Sequence, residues 1–134
     1  MSAVITFEDF EPGTVIGEIV ETFDADLSEG WRRIFGSDPA AGAGTSAEQA
    51  GIGVVMMMRA YLRVVSPRPP GNVHARQQFR LQGVPQPGEP LRTAVRCVHK
   101  EMKRGRRYVE LEVAGTGHGE RPVYTGRMTL IWAA

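Results

Sequence analysis

The sequence predicts one α+β domain in which an antiparallel sheet wraps around a single long central helix. Residues 45–65 form a helical segment, and its middle part, residues 50–58, carries neither a charge nor a polar side chain. One earlier segment and four later segments alternate between apolar and polar residues, which is typical of strands with one face in water. A helix that is apolar on every side needs a sheet that curves around it and a cover on its remaining flank.

The predicted helix has sequence signals at both ends. Thr45 and Ser46 are followed by Glu and Gln at the spacing of a capping box, so the helix is expected to begin there. Three prolines between residues 67 and 70 prevent it from continuing. Because residues 50–58 are uniformly apolar, we expect this part to be buried all round. The uncharged run is too short to span a bilayer, which argues against a membrane helix.

Two glycines, Gly51 and Gly53, lie inside this apolar run. Each costs about 1 kcal/mol of helix propensity relative to alanine, so their presence predicts that something approaches the helix backbone closely. Tight contact between helix and sheet is one explanation, and close approach of a bound ligand is the other.

The strands are predicted from the period of two in their side chains. The first covers residues 14–23, with one face formed by Val15, Ile19 and Phe23. A short helix ending at Gly36 and a loop of small residues then lead to the long helix. The later strands are Val73–Leu81, predicted to be half-buried, and segments within residues 91–102, 108–113 and 124–132. The second and third of these four meet at a predicted hairpin tip at residues 103–107.

Length and composition limit the classes of function. With 134 residues the chain is expected to be one domain, residues 1–134, with a substantial core. Sixteen basic and fifteen acidic residues leave a net charge of +1, so neither nucleic acid nor an anionic membrane is expected as a partner. The single cysteine, Cys97, excludes an intrachain disulfide and a multi-cysteine metal site. No secretory signal is visible, and we expect a cytoplasmic protein without a metal or other cofactor.

One sheet wrapped on one long helix is the hotdog arrangement. Five stretches fit it in detail, namely FEDFEPGTVIGEIVETFDADL at residues 7–27, PGNVHARQQF at 70–79, GE at 88–89, KRGRRYV at 103–109 and GRMTLIW at 126–132. In these stretches the sequence resembles MaoC-like hotdog proteins, and the resemblance covers nearly the whole chain as a pattern of strands and turns. The resemblance implies action on acyl thioesters, commonly as an enoyl-CoA hydratase or 3-hydroxyacyl dehydratase, in dimers or fused double hotdogs.

The sequence departs from this family where the catalytic pair is expected. Active members carry an Asp and a His in a pattern resembling Asp-x-Asn-Pro-x-His, and the corresponding stretch here is GSDPAAG at residues 36–42. Asp38 precedes Pro39 where the family has Asn, and Ala41 occupies the His position. No histidine occurs before His74. The usual acid–base pair is therefore missing, and Asp38 is the remaining candidate for a catalytic base, although an Asp before Pro is often a turn former.

Candidate substrate-binding residues follow from the needs of the chemistry. Hydration of an enoyl thioester requires a base, an acid and stabilisation of the charge that develops on the thioester oxygen. Backbone N–H groups at a helix N-terminus can provide the last of these, which points to the start of the helix around Ser46. Gly51 and Gly53 would let a thioester or its pantetheine arm lie close to the helix backbone.

Three basic side chains complete the candidate substrate site. Arg59 follows the apolar run and can border a pocket, and Arg104 at the hairpin tip can meet the phosphates of CoA. His74 lies on the predicted wet face of its strand, close to Gly71. Each of the three also has a simpler explanation as a solvated surface residue. His99 falls on the apolar register of its strand, and Cys97 is expected to point inward.

Three functional interpretations remain open. The first is a catalytically incomplete hydratase or dehydratase subunit that binds acyl-CoA or acyl carrier protein thioesters, as a homodimer or beside another hotdog subunit. The second is an enzyme with relocated groups, either a dehydratase that uses Asp38 or a thioesterase that uses one carboxylate. The third is a binding module with no thioester role. A sheet edge and a helix flank would be exposed in a monomer, so we expect an oligomer.

Overall fold

The computed structural model describes residues 3–23, 46–83, 85–86 and 88–134. Its regular elements in chain order are a 3-10 helix (Phe7–Asp9), β1 (Val15–Phe23), α1 (Ser46–Val64), β2 (Val73–Leu81), β3 (Glu89–Lys103), β4 (Arg106–Thr116), a second 3-10 helix (His118–Glu120) and β5 (Pro122–Trp132). The predicted helix agrees with α1 to within one residue at each end. The predicted short helix ending at Gly36 and the loop with Asp38 lie outside the described residues.

The five strands form one sheet in the order β1-β3-β4-β5-β2, and all neighbouring strands are antiparallel. This confirms the predicted architecture of an antiparallel sheet with one long helix. The strands β1 and β2 are the two edges of the sheet. The connection between β3 and β4 is a two-residue hairpin, and both of its residues, Arg104 (φ 53°) and Gly105 (φ 74°), have the positive φ that a type I′ turn requires.

Helix α1 crosses the sheet along one row of directly paired residues. This row contains, from one edge to the other, Gly17, Val95, Val113, Gly126 and Phe79. Three helix residues contact it, with Gly53 against Phe79, Met57 against Gly126 and Val64 against Gly17. From the first to the last of these the helix rises about 16 Å, close to the roughly 19 Å spanned by five adjacent strands. The helix therefore runs across all five strands.

The inner face of the sheet supplies most of the core. Alternate side chains of the three central strands are fully buried, namely Leu91, Val95 and Cys97 of β3, Val109, Leu111 and Val113 of β4, and Tyr124, Met128, Leu130 and Trp132 of β5. The inward position predicted for Cys97 is thus confirmed. Burial of this alternate set follows directly from the two-residue period of a strand.

The segment before β1 closes one end of this core. The indole N–H of Trp132 donates to the Ile5 carbonyl at 2.8 Å, and the Phe10 ring meets the Trp132 ring edge-on with centroids 4.9 Å apart. The backbone N–H of Phe7 donates to the Ala134 carbonyl at 2.8 Å. The N-terminal segment is thereby held against the last strand at the end of the sheet farthest from Glu89.

The helix is not buried all round, which corrects one expectation from the sequence. Val55 lies inside the apolar run and is 43% exposed, and Leu62 is 44% exposed on the same flank. A single sheet covers only one side of a helix, so the apolar stripe on the opposite side stays open in one chain.

Strand β2 also differs from its prediction. Its first six residues are exposed, and only Phe79 and Leu81 are half-buried. A register shift between His74 and Arg76 turns Val73, which is 51% exposed, away from the core, and places His74 opposite the buried Leu130. Directly opposite residues share a face of a sheet, so His74 lies on the inner face rather than on the predicted outer one. It remains exposed because the edge strand extends beyond the cover of the helix.

Bulges explain the two other register errors. Val15 was expected to face the core but is 59% exposed, because the pairing of β1 with β3 shifts between Val15 and Gly17. His99 was placed in the apolar register, yet its side chain is 57% exposed because a shift between Cys97 and His99 interrupts the alternation. A bulge adds one residue to one strand, and this reverses the face of every residue beyond it.

Candidate functional site

The structure describes only part of the site predicted at the start of α1. Ser46 is the first residue of the helix, and Gly51 is half-buried. Gly53 is buried, and a Cβ added there would lie 2.8 Å from Cζ of Phe79. The ring of Phe79 thus fills the space above Gly53, which supports close helix–sheet packing as the reason for this glycine. Asp38, the predicted base, lies outside the described residues.

Arg59 reaches the inner face of the first strand. Its guanidinium binds the Glu21 carboxylate at 2.8 Å, and the Glu21 side chain is only 13% exposed. This ion pair links the middle of α1 to β1. It also places a charged carboxylate in the compartment between helix and sheet, at the sheet end that leads to residues 24–45.

A second polar pair lies on the same part of the inner face. The hydroxyls of Thr93 and Tyr124 are hydrogen-bonded to each other, and both residues are buried. Burial raises the pKa of Tyr124 to about 12, and the negative charge of Glu21 acts in the same direction. Tyr124 therefore stays protonated at neutral pH. Since one hydroxyl of the pair donates to the other, the second keeps a proton that it can donate elsewhere.

These two pairs place a proton acceptor and a hydrogen-bond donor in the space between α1 and the sheet. A carboxylate held by an arginine can accept a proton, and a buried hydroxyl can donate a hydrogen bond to a carbonyl oxygen. The Tyr124 ring also stacks on Phe79 with centroids 5.8 Å apart, which connects the polar pair to the contact with Gly53. The groups lie at one end of the inner sheet face, with Phe79 against Gly53 in the first half of α1 and Glu21 paired to Arg59 farther along the helix.

The remaining predicted site residues lie elsewhere. His74 is five residues along β2 from Phe79, or roughly 17 Å of strand. Arg104 is at the tip of the β3–β4 hairpin, and from Val95 in the row beneath the helix the strand extends about 26 Å to this tip. The chain thus brings Gly51 and Gly53 together but separates them from His74 and Arg104.

Sequence reasoning missed Glu21, although a signal was present. Glu21 lies two residues from Ile19 and two from Phe23, so the predicted alternation of the first strand already placed it on the inner face. An acidic residue in an apolar register is a candidate for a buried ion pair or for a catalytic role, because an unpaired buried charge is costly.

A further buried carboxylate, Glu89, lies at the same end of the sheet, on β3 next to β1. Glu89 is 6% exposed and accepts backbone N–H groups from Gln86 at 3.1 Å and His118 at 3.0 Å, together with the Arg121 guanidinium at 2.5 Å. These bonds, led by that from His118, lower the pKa of Glu89 to about 2. Because each oxygen already accepts at least one hydrogen bond, we interpret Glu89 as a structural clamp between two turns. The sequence marked it only through the Gly88-Glu89 pair of the MaoC-like pattern, without a role.

Comparison with known proteins identifies the fold. No protein-family model matches the chain, and no curated protein sequence matches it. The R-hydratase PhaJ1 from Pseudomonas aeruginosa, in its unliganded form, is 15% identical with a TM-score of 0.74, over 96% of this chain and 86% of that one. The MaoC-like dehydratase from Rhodospirillum rubrum is 12% identical with a TM-score of 0.77, over 97% and 98% of the two chains.

A third solved structure has the same arrangement with another activity in its name. The thioesterase from Thermus thermophilus, complexed with coenzyme A and zinc, is 16% identical with a TM-score of 0.62, over 91% of this chain and 82% of that one. At such identities the likeness establishes the fold, and the resemblance to MaoC-like proteins is confirmed at that level. Among the described residues, no helix is long and apolar enough to cross a membrane. The chain has the hotdog fold that the MaoC-like dehydratase and the R-hydratase share.

Proposed function

We propose that the chain binds acyl thioesters, carried by CoA or by acyl carrier protein, as a catalytically incomplete subunit of the hydratase and dehydratase type. The observation that carries this proposal is the combination of the hotdog fold with a sequence that has no histidine before His74. The fold supplies a helix N-terminus beside the inner sheet face, where backbone N–H groups can bind a thioester oxygen. The acid–base pair that such an enzyme needs is not present in its usual positions.

The proposed binding predicts that a short acyl-CoA raises the melting temperature of the purified chain. A ligand that binds only the folded state stabilises it by about 2.7 kcal/mol at a hundredfold excess over its Kd. The measurement is a thermal shift with butyryl-CoA, with free CoA and free butyrate as controls for the two halves of the ligand. An unchanged melting temperature in the presence of millimolar butyryl-CoA would contradict acyl-thioester binding.

A second candidate function is an active hydratase or thioesterase with relocated groups. The pair of Glu21 and Arg59 favours it, because it holds a carboxylate at 13% exposure on the inner face of the sheet. The Thr93–Tyr124 pair adds a hydroxyl donor to the same compartment. In this alternative Glu21, or Asp38, serves as the base, and the hydroxyl pair binds the substrate carbonyl.

We also propose that the protein is an oligomer that pairs through β2, either with a second copy or with another hotdog subunit. Six consecutive residues of this edge strand are exposed, and the open flank of α1 carries Val55 and Leu62. An exposed strand edge beside an apolar helix flank is a surface that association would cover.

Light scattering at micromolar concentration is therefore expected to give at least twice the mass of the chain. A mass of one chain under these conditions, in the absence of any partner, would contradict self-association and leave only a hetero-oligomer. Co-expression with a hotdog subunit that carries the Asp and His pair then tests that second form.

A further inference from the structure

The outer face of β2 carries an unusual pair of charges. Arg76, Gln78 and Arg80 are exposed and lie opposite Thr129, Arg127 and Thr125 of β5. These three β5 residues face outward, because they alternate along the strand with Gly126 and Met128, which are buried. The two arginines thus stand two positions either side of Gln78, at the free edge of the sheet.

The acidic residues on the outer face of β4 are already engaged. On β4, Glu110 and Glu112 lie 3.8 Å and 3.6 Å from the guanidinium of Arg127, which separates them from β2. Within the parts of the chain that the structure describes, neither Arg76 nor Arg80 has a carboxylate within salt-bridge distance. Within those described parts, no carboxylate compensates their positive charge.

Pairing through β2 would bring these charges together. In a two-fold antiparallel pair of identical strands with its axis at Gln78, Arg76 of one copy lies opposite Arg80 of the other. Their Cβ atoms would be about 5 Å apart. An axis one residue to either side makes the arginines diagonal neighbours, about 7–8 Å apart. Each of these registers therefore gathers four guanidinium groups on one face of the joined sheet. We call this cluster, Arg76 and Arg80 of each copy, the arginine seam.

Like charges directly opposite each other destabilise a strand pair, so the arginine seam needs a counter-ion. Guanidinium groups match phosphate oxygens through paired N–H donors. Four of them around a two-fold axis form a compact site, because their neighbours are Gln78, two threonines and an Arg127 that is already paired with Glu110 and Glu112. A diphosphate group, which carries several negative charges on a small frame, fits this arrangement better than a long polyanion.

We propose that the arginine seam is a diphosphate-binding site that couples anion binding to association of two copies. This inference rests on the proposed pairing through β2. The diphosphate can come from an inorganic ion or from a nucleotide carrier such as CoA. Alternatively, the arginines are charges that keep a free strand edge from pairing. In that case diphosphate would change the association of two copies no more than sodium chloride of the same ionic strength does.

Sedimentation velocity of the full chain over a range of concentrations tests the inference. At constant ionic strength set with sodium chloride, millimolar pyrophosphate is expected to lower the dimer Kd at least about tenfold, which corresponds to about 1.4 kcal/mol. CoA is expected to act in the same way, and pantetheine, which lacks phosphate, is not. An effect of CoA without an effect of pyrophosphate would overturn the proposal of a diphosphate site.

Two matched double variants locate the effect. The double variant Arg76→Gln with Arg80→Gln is expected to form the dimer without pyrophosphate and to show no further response when pyrophosphate is added. Arg92→Gln with Arg96→Gln removes the same charge from the outer face of β3 and is expected to keep the response. A wild-type dimer that ignores pyrophosphate would overturn this inference alone, whereas a monomer under all conditions would overturn the pairing as well. A response that persists in the first variant would also refute the site.

Discussion

The wild-type chain, purified alone, is expected to hydrate a short enoyl-CoA about 10² to 10⁴-fold more slowly than a hydratase that carries the Asp and His pair. General acid–base groups contribute rate factors of this order, and the resemblance to MaoC-like proteins aligns Ala41 with the histidine position. The measurement is steady-state hydration of crotonyl-CoA, with the thermal shift by butyryl-CoA recorded on the same preparation. Binding without turnover is the expected outcome.

Two variants separate the incomplete subunit from the relocated enzyme. If the chain is incomplete, Asp38→Ala leaves the residual rate unchanged, because an Asp before Pro without a partner is a turn residue. Glu21→Gln is also expected to leave that rate unchanged while it weakens the link to Arg59. Rapid wild-type turnover that collapses in either variant would refute the incomplete subunit and assign the base. Glu18→Gln, on the exposed face of the same strand, is the control for loss of charge alone.

Replacement of Glu89 by Gln is expected to destabilise the fold by about 3 kcal/mol at pH 7. The carboxylate oxygens accept two backbone N–H groups and the guanidinium of Arg121. An amide has only one acceptor oxygen, so in either orientation its NH₂ group faces a backbone donor. Urea unfolding of wild type and Glu89→Gln measures the difference, and Glu120→Gln, an exposed change in the neighbouring turn, is the control.

The same carboxylate predicts a dependence of stability on pH. The pKa of Glu89 falls from 4.5 to about 2 in the folded chain. The folded state therefore binds the proton less readily than the unfolded state, and the contribution of Glu89 is fully present above pH 4.5. It is lost as the pH falls from 4.5 towards 2. The gap between wild type and Glu89→Gln is expected to narrow over this interval, and a constant gap would show that ionisation of Glu89 does not stabilise the fold.

The elements with strong local signals could be predicted from the sequence. The capping pattern and the prolines bracketed α1 to within one residue, since helix ends depend on local backbone groups. The bounds of β2 were predicted correctly from alternation, and Gly105 marked the hairpin between β3 and β4. The segment within residues 124–132 was predicted as a one-sided strand, and β5 buries alternate side chains there because side-chain direction in an uninterrupted strand follows its period.

Errors arose where a bulge changed the register. A single added residue at Val15, His74 or Cys97 reverses the side-chain direction beyond it, and nothing in the local composition announces such a shift. The exposure of Val55 was missed for another reason, since the sequence shows that a surface is apolar but not which element covers it. A single chain leaves that flank open.

The sequence by itself determined the α+β class, the position and length of the helix, and the presence of one-sided strands. Those features depend on residue type and on neighbours within a few positions. Only the tertiary structure decided that Glu21 meets Arg59, that Thr93 meets Tyr124, and that Phe79 fills the space above Gly53. Each contact joins residues on different elements, so it depends on strand order and register, which are set by the packing of the whole sheet against α1.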